Sequence, residues 1–286
     1  NASIIGIQNY LFAKKLNQNK FLIKKIINWF ENTAVDKGLC FGVKKYLKKV
    51  ELIGYQGFTT YKEFMCLDPL SYEKKFNVMP DKIICIGKNL IHAKKELFSN
   101  MPVRLGPALR FDHVHNDYKK KRLTNSVLVN LNLDYNSSKL IIENLLKTEF
   151  YKKFGGKLFI KSHPLLDIKK ILDIDNKKNI YLIKGNIYML ASKFKVAVSS
   201  GATSSILETI VAGCKMCFPF DNFTDAYSLK LIRTPKSRYK VCENINELSI
   251  YLSFNTNKGK NNDMSLIKFK NNIFNKSNKK YNSLLV

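Results

Sequence analysis

The chain has no run of about 18 apolar residues, which excludes a membrane-spanning helix. No internal repeat is visible, which excludes solenoids and propellers. Histidine is scarce and there is one CxxC, Cys214 and Cys217, with no second CxxC and no HxxxH, so a structural zinc site lacks ligands. The six cysteines, Cys40, Cys66, Cys85, Cys214, Cys217 and Cys242, are scattered. They read as small hydrophobes in a reducing compartment. Acidic residues are few: 22 Asp+Glu face 49 Lys+Arg, a net charge of +27. Such a surplus fits a nucleic acid, an anionic lipid surface or a phosphorylated substrate. It also fits a composition that fills solvent positions with Lys and Asn, as in NKSNKK and NTNKGKNND. The lysines run along the whole chain, and the densest run, Lys119-Lys120-Lys121-Arg122, reads as a solvated linker. No RNP, KH, zinc-finger or helix-turn-helix signal accompanies them, so nucleic acid is not expected as a partner, although a basic nucleic-acid-binding protein stands as the alternative of another class. Residue 1 is Asn and no signal peptide is visible, so the expectation is a chain that begins inside a longer protein.

What is present is enough apolar material for a core, 45% hydrophobic over 286 residues. The second half alternates apolar runs with helical periodicity. Strands are expected at 126–134, 156–164, 179–185, 194–200 and 215–220. Helices are expected at 137–154 with Ser137 or Ser138 as cap, at 165–174, at 203–214 closed by Gly213, and at 243–254. Strands alternating with helices make βαβ units and a parallel, doubly wound sheet. The first half reads as two helices broken near Glu31 or Gly38, strands at 49–57 and 81–87, a helix at 89–100 and a short strand in 101–109. It is also α/β but short of strands, as expected if its first βα units lie upstream of Asn1. The expected organisation is a Rossmann-like domain at 1–112, a linker at 113–125, a second Rossmann-like domain at 126–255 and an Asn/Lys-rich tail at 256–286 that includes one potential helix, MSLIKFKNNIF. Two such domains place a ligand in the cleft between them, at the carboxyl ends of the strands.

Two loops at such ends are chemically unusual. Lys161, Ser162, His163 and Pro164 end one strand; a lysine and a protonatable histidine suit an anion, and Pro164 fixes the loop. Ser199, Ser200, Gly201, Ala202, Thr203, Ser204 and Ser205 end another strand and open a helix, where small residues and free amides suit a phosphate. Glu208, one turn on, lies within reach of a ribose hydroxyl. In the first half, Glu31 follows Trp29 and Phe30, where partial burial would favour a proton-accepting role. Asp36, beside Lys37, reads mainly as a surface carboxylate, and Gln56 follows a strand and is placed to line the cleft. The DHVH stretch, Asp112, His113 and His115, lacks the further ligands a metal needs, so no metal site is assigned.

KSHP followed by SSGATSSILE resembles the nucleotide half of GT-B glycosyltransferases that use CMP-activated sugars, namely the bacterial sialyltransferases and capsule Kdo transferases, which carry an HP motif and a serine-rich motif in this order. The likeness runs over residues 25–225, and the first half resembles bacterial surface-carbohydrate biosynthesis proteins. It implies that His163, Pro164, Ser199, Ser200, Ser204 and Ser205 hold the CMP phosphate and nucleotide, with Lys161, Gly201, Thr203 and Glu208 beside them. It also implies two Rossmann-like domains facing a cleft (GT-B), and inverting transfer without a metal. The sugar would be Kdo or a nonulosonic acid, passed from a CMP-activated donor to a hydroxyl of a glycan or lipid-linked acceptor. The base would be a carboxylate of the first half, Glu31 or Asp36. No cofactor is expected beyond the CMP-sugar itself. UDP- or GDP-sugars are the alternative donors, and a scaffold with a decayed transferase fold is a third reading. A basic transferase of this kind would work in the cytoplasm, peripherally at an anionic membrane face.

Overall fold

The computed structural model describes residues 1–59, 69–97, 102–116, 121–171, 177–199, 204–219, 229–257 and 264–277. They group into two units: Asn1–His113 with the residues from Asn271 on, and Val114–Lys270.

In the first unit, α1 (Ala2–Gln18) is followed by β1 (Lys25–Trp29), α2 (Ala34–Tyr46), β2 (Glu51–Gln56), α3 (Ser71–Lys75), β3 (Lys82–Cys85), α4 (Lys88–Leu97) and β4 (Val103–Leu105). The four strands form a parallel sheet in the order β1-β2-β3-β4. Its core is apolar, with Leu52, Ile53, Ile83 and Ile84 at 0–1% exposure. The sequence reading places Lys25–Trp29 in a helix. The structure makes it a strand, because Ile26 and Ile27 pair with Leu52 and Ile53 of β2, and that pairing outweighs the local helical spacing. α1 and α2 meet through Gly6 and Gly38, whose backbones touch. Leu109–His115, whose last three residues fall in the linker expected at 113–125, is a 3-10 helix with Phe111 fully buried.

The second unit follows the sequence rhythm closely. Its elements are β5 (Ser126–Asn130), α5 (Tyr135–Lys147), α6 (Glu149–Lys152), β6 (Lys157–Lys161), β7 (Ile180–Leu182), α7 (Ile187–Ala191), β8 (Val196–Ser199), α8 (Ser205–Val211), β9 (Lys215–Pro219), β10 (Tyr239–Cys242) and α9 (Ile245–Asn257). Within the expected helix over 165–174, the described residues 165–171 hold a 3-10 turn at Ile168–Lys170, and residues 172–174 lie outside the described residues; β10 is an addition. α5 starts earlier than expected, because Asp134 is its cap and accepts the Ser137 amide at 2.7 Å. Arg122 is not a solvated residue: its guanidinium donates to the carbonyls of Ala212 and Gly213 at the end of α8.

All six strands are parallel, in the order β10-β9-β8-β5-β6-β7. From β5 the chain moves outward through β6 and β7, then returns to the other side of β5 with β8. The carboxyl ends of β5 and β8 therefore flank a topological switch point, the place where open α/β sheets generally bind ligands. Apolar strands pack beneath it, among them Val127, Val129, Val196 and Val198, all at 0% exposure.

After α9, the last described helix is α10 (Met264–Ile273). The residues that follow belong to the first unit. Phe274 is fully buried and stacks on Phe111 with centroids 4.5 Å apart. The Asn275 amide donates to the Ile86 carbonyl at 2.7 Å, and its own carbonyl accepts the Ala108 amide at 2.8 Å. The stretch read from sequence as a tail thus contributes core to the first unit. Among the described residues, no helix is long and apolar enough to cross a membrane.

Candidate functional site

The carboxyl edge of the second sheet gathers the polar residues that end its apolar strands. Asn130 closes β5 and stands in register with Lys161 on β6 and with Ser199 on β8. Asn130 and Ser199 are 3% and 2% exposed, so their polar groups need partners inside the protein. The Ser199 hydroxyl donates to the Asn130 carbonyl at 3.2 Å. The Asn130 side-chain amide donates to the Ser205 hydroxyl oxygen at 2.5 Å. Asn130 therefore touches both flanks of the serine loop. Ser200, Gly201 and Thr203, expected to bind the nucleotide, lie outside the described residues. Ser204 is the N-cap of α8 without a capping bond from its own side chain, and Glu208, one turn on, is buried.

Lys161 and His163 are half-buried, whereas Pro164 is exposed. The His163 carbonyl accepts the Leu166 amide at 3.0 Å, closing a turn over Pro164. The His163 Nδ1 accepts the Leu165 amide at 3.2 Å. An acceptor Nδ1 puts the ring proton on Nε2, making that nitrogen a donor. A lysine cation and a histidine N–H at the carboxyl edge of the sheet are donors suited to an anionic, phosphate-like group, while the Ser199 hydroxyl spends its proton on the Asn130 carbonyl. Asn130 is the member of this row that sequence reasoning passed over. Its signal was there: it is the polar last residue of an apolar strand, as Lys161 and Ser199 are.

The first-unit candidates differ in kind. Glu31 is exposed, so the burial that the sequence reading relied on is absent. Its carboxylate instead accepts the Trp29 indole N–H at 2.7 Å. Asp36 is buried, not a surface carboxylate, and is committed to local structure. It accepts from the Asn28 side chain at 2.8 Å, from the amides of Glu31 and Thr33, and from the Thr33 hydroxyl. This is the capping box of α2, and it pins the loop that carries Glu31. Gln56 is 1% exposed, with its side-chain oxygen 3.9 Å from Cys85 Sγ, so it sits within the sheet rather than lining a surface.

Among the described residues, no group of three or more His, Cys, Asp or Glu side chains is placed to hold a metal. Asp112 of the DHVH stretch accepts the Ser277 amide at 2.9 Å. The sequence does contain one Asp-x-Asp, Asp173 and Asp175, which lies outside the described residues. The CxxC pair does not act together. Cys214 donates to the carbonyls of Ala191 and Phe194, and burial pushes its thiol up to about 12, whereas Cys217 meets Cys242 at 3.4 Å.

No protein-family profile and no curated protein matches the chain. Solved structures do. The chain is similar to the GtfA/B complex, with a TM-score of 0.58 at 11% identity, over 92% of this chain and 57% of that one. It is similar to the glycotransferase of kitacinnamycin, with a TM-score of 0.59 at 9% identity, over 95% and 78%. It is also similar to a mutant of S. aureus TarM in complex with fondaparinux, α-GlcNAc-glycerol and UDP, with a TM-score of 0.52 at 16% identity, over 96% and 57%. The chain spans 57% of the length of the GtfA/B and TarM chains it matches. Two parallel α/β units, matched over nearly the whole chain by these structures, make the fold of the GT-B type.

Proposed function

We propose that the chain is the fold-bearing part of a nucleotide-sugar-dependent glycosyltransferase, and that the carboxyl edge of β5, β6 and β8 binds the phosphate of the donor. The observation that supports this reading most is the row Asn130, Lys161 and Ser199 at the switch point, with His163 fixed beside it. The reaction moves a glycosyl group from a nucleotide phosphate to an acceptor hydroxyl. The departing phosphate gains negative charge, and Lys161 and the His163 Nε2–H meet it. The acceptor hydroxyl loses its proton to a carboxylate, for which Glu31 is the candidate, while Asp36 holds the Glu31 loop. In this reading the donor is a CMP-activated Kdo or nonulosonic acid and the acceptor a surface glycan, with inversion and without a metal. The HP and serine motifs support CMP. A UDP-sugar is the second reading, favoured by the UDP found with TarM and with Arabidopsis thaliana UGT89C1, two chains of like fold. The net charge of +27 suits peripheral attachment to anionic lipid, with each lysine near the surface contributing about 1 kcal/mol.

Thermal shifts with CMP, CDP, UDP, GDP and ADP at matched ionic strength test the donor. A nucleotide at about 100 times its dissociation constant adds roughly 2.7 kcal/mol of stability. Stabilisation by CMP alone, lost in His163→Ala, supports the CMP-sugar. A larger shift with UDP moves the donor to UDP-sugars. No shift with any of the five removes the transferase reading.

A further inference from the structure

We propose that Trp29 and Glu31 form a sugar-stacking subsite at the carboxyl edge of the first sheet, which takes a neutral pyranose ring of the acceptor. The word acceptor rests on the glycosyltransferase reading; the sugar site itself rests on the geometry below. Trp29 is the chain's one tryptophan. It ends β1 and is 44% exposed, although the next residue, Phe30, is fully buried. Its ring is held on one side. Tyr55, its register partner on β2, meets it edge-on with centroids 6.0 Å apart, and Phe58 meets it at 5.6 Å. Gly57 makes this possible: a Cβ there would lie 2.5 Å from Trp29 Cζ3 and 2.6 Å from Tyr55 Cε1. The indole N–H is bound to Glu31 at 2.7 Å, which fixes the ring's rotation.

The result is a rigid, partly bare aromatic surface with a carboxylate at its edge. Burying aromatic area is favourable, and a ring already fixed gives up little entropy on binding. A pyranose has an apolar C–H face to lay on the indole and hydroxyls at its rim to donate to a carboxylate. A carboxylate with two oxygens accepts from more donors than the one indole N–H, and such charge-assisted bonds are the stronger kind. The negative charge of Glu31 selects against a phosphorylated ligand at this spot, which separates the subsite from the cationic edge of the second unit. A neutral nucleoside stacking its base on Trp29 is the competing outcome.

Because Trp29 is the single tryptophan, its emission reports on this site alone. The test titrates the full chain with methyl β-D-galactopyranoside, methyl α-D-glucopyranoside and N-acetylglucosamine to 100 mM, against glycerol at equal osmolarity and against cytidine and uridine. A saturable change in Trp29 emission with at least one sugar is expected, weakened at least fivefold in Glu31→Gln. Glu31 is exposed, so this variant should fold; the near-ultraviolet spectrum and melting temperature check that it does. Emission that tracks glycerol for all three sugars overturns the proposal, as does a saturable response to the nucleosides without one to the sugars. If a nucleotide stabilises the protein but no sugar alters Trp29, the subsite falls and the transferase reading stands. If a sugar alters Trp29 but no nucleotide binds, the subsite stands and the transferase reading falls.

Discussion

Asn130 ties together the edge proposed to bind the donor nucleotide. Its backbone carbonyl accepts from Ser199 and its side chain donates to Ser205, so one residue holds both flanks of the serine loop. Replacing it by alanine keeps the backbone acceptor and removes the side-chain donor. A buried hydrogen bond of this kind contributes about 1 kcal/mol, and a flank that shifts by a fraction of an ångström loses more at the ligand. Asn130→Ala should therefore weaken the stabilising nucleotide about tenfold by isothermal titration. Ser205→Ala should weaken it by a similar factor, and the double variant by little more than either single one, because the two share one interaction. An unchanged dissociation constant in Asn130→Ala would remove Asn130 from the site. At this scale the sequence was half legible. Lys161, His163 and Ser199 stood out because each breaks an apolar run at a strand end. Asn130 did the same in SVLVN but was hidden among the alternating Asn residues of VNLNLD. Asp36 was misjudged because its role is set by contacts with Asn28, Glu31 and Thr33 that only the folded loop creates.

Among elements, the second unit was readable and the start of the first was not, for one physical reason. Strands buried on both faces are continuous apolar runs bounded by polar loops, and β5 and β8 are of that kind. β1 is different: Lys25–Trp29 follows the apolar run Phe21-Leu22-Ile23 and Lys24, a stretch that also fits a helix, and it is a strand because β2 pairs with it. α1 escaped notice because its contact face is made of small residues. Gly6 and Ala13 are its buried residues, and large apolar side chains such as Ile4, Ile7 and Leu11 point outward, the reverse of an ordinary amphipathic helix. The prediction at this scale follows from that contact. A Cβ on Gly38 would collide with the backbone carbonyl of Gly6, which no side-chain rotation relieves. Gly38→Ala must push α1 away from α2, at a cost of about 1–3 kcal/mol despite the better helix propensity of alanine. Chemical denaturation should show this loss, and a variant as stable as the parent would mean that α1 does not pack here.

The whole chain starts in the first unit, builds the second, and returns to the first. Composition concealed the return, because residues 256–286 are so rich in Asn and Lys that a tail is the natural reading, and the buried positions Phe269, Ile273 and Phe274 are few against that background. Yet Phe274 stacks on Phe111, and Asn275 bonds the backbone at Ile86 and, in a second segment, at Gly106 and Ala108. Stability of the first unit should therefore depend on residues far away in sequence. Truncating a fully buried phenylalanine to alanine costs about 3–5 kcal/mol, through lost burial and the cavity left behind. Phe274→Ala should lower the first unit's protection against amide hydrogen exchange at Leu52, Ile83 and Ile84 by that amount. The same experiment reads the second unit, where Val127, Leu128 and Val198 belong to a separate core, and their protection should hold. Equal losses in both would mean that the two units unfold as one, and no loss in either would mean that the Phe274 contact is not formed in solution.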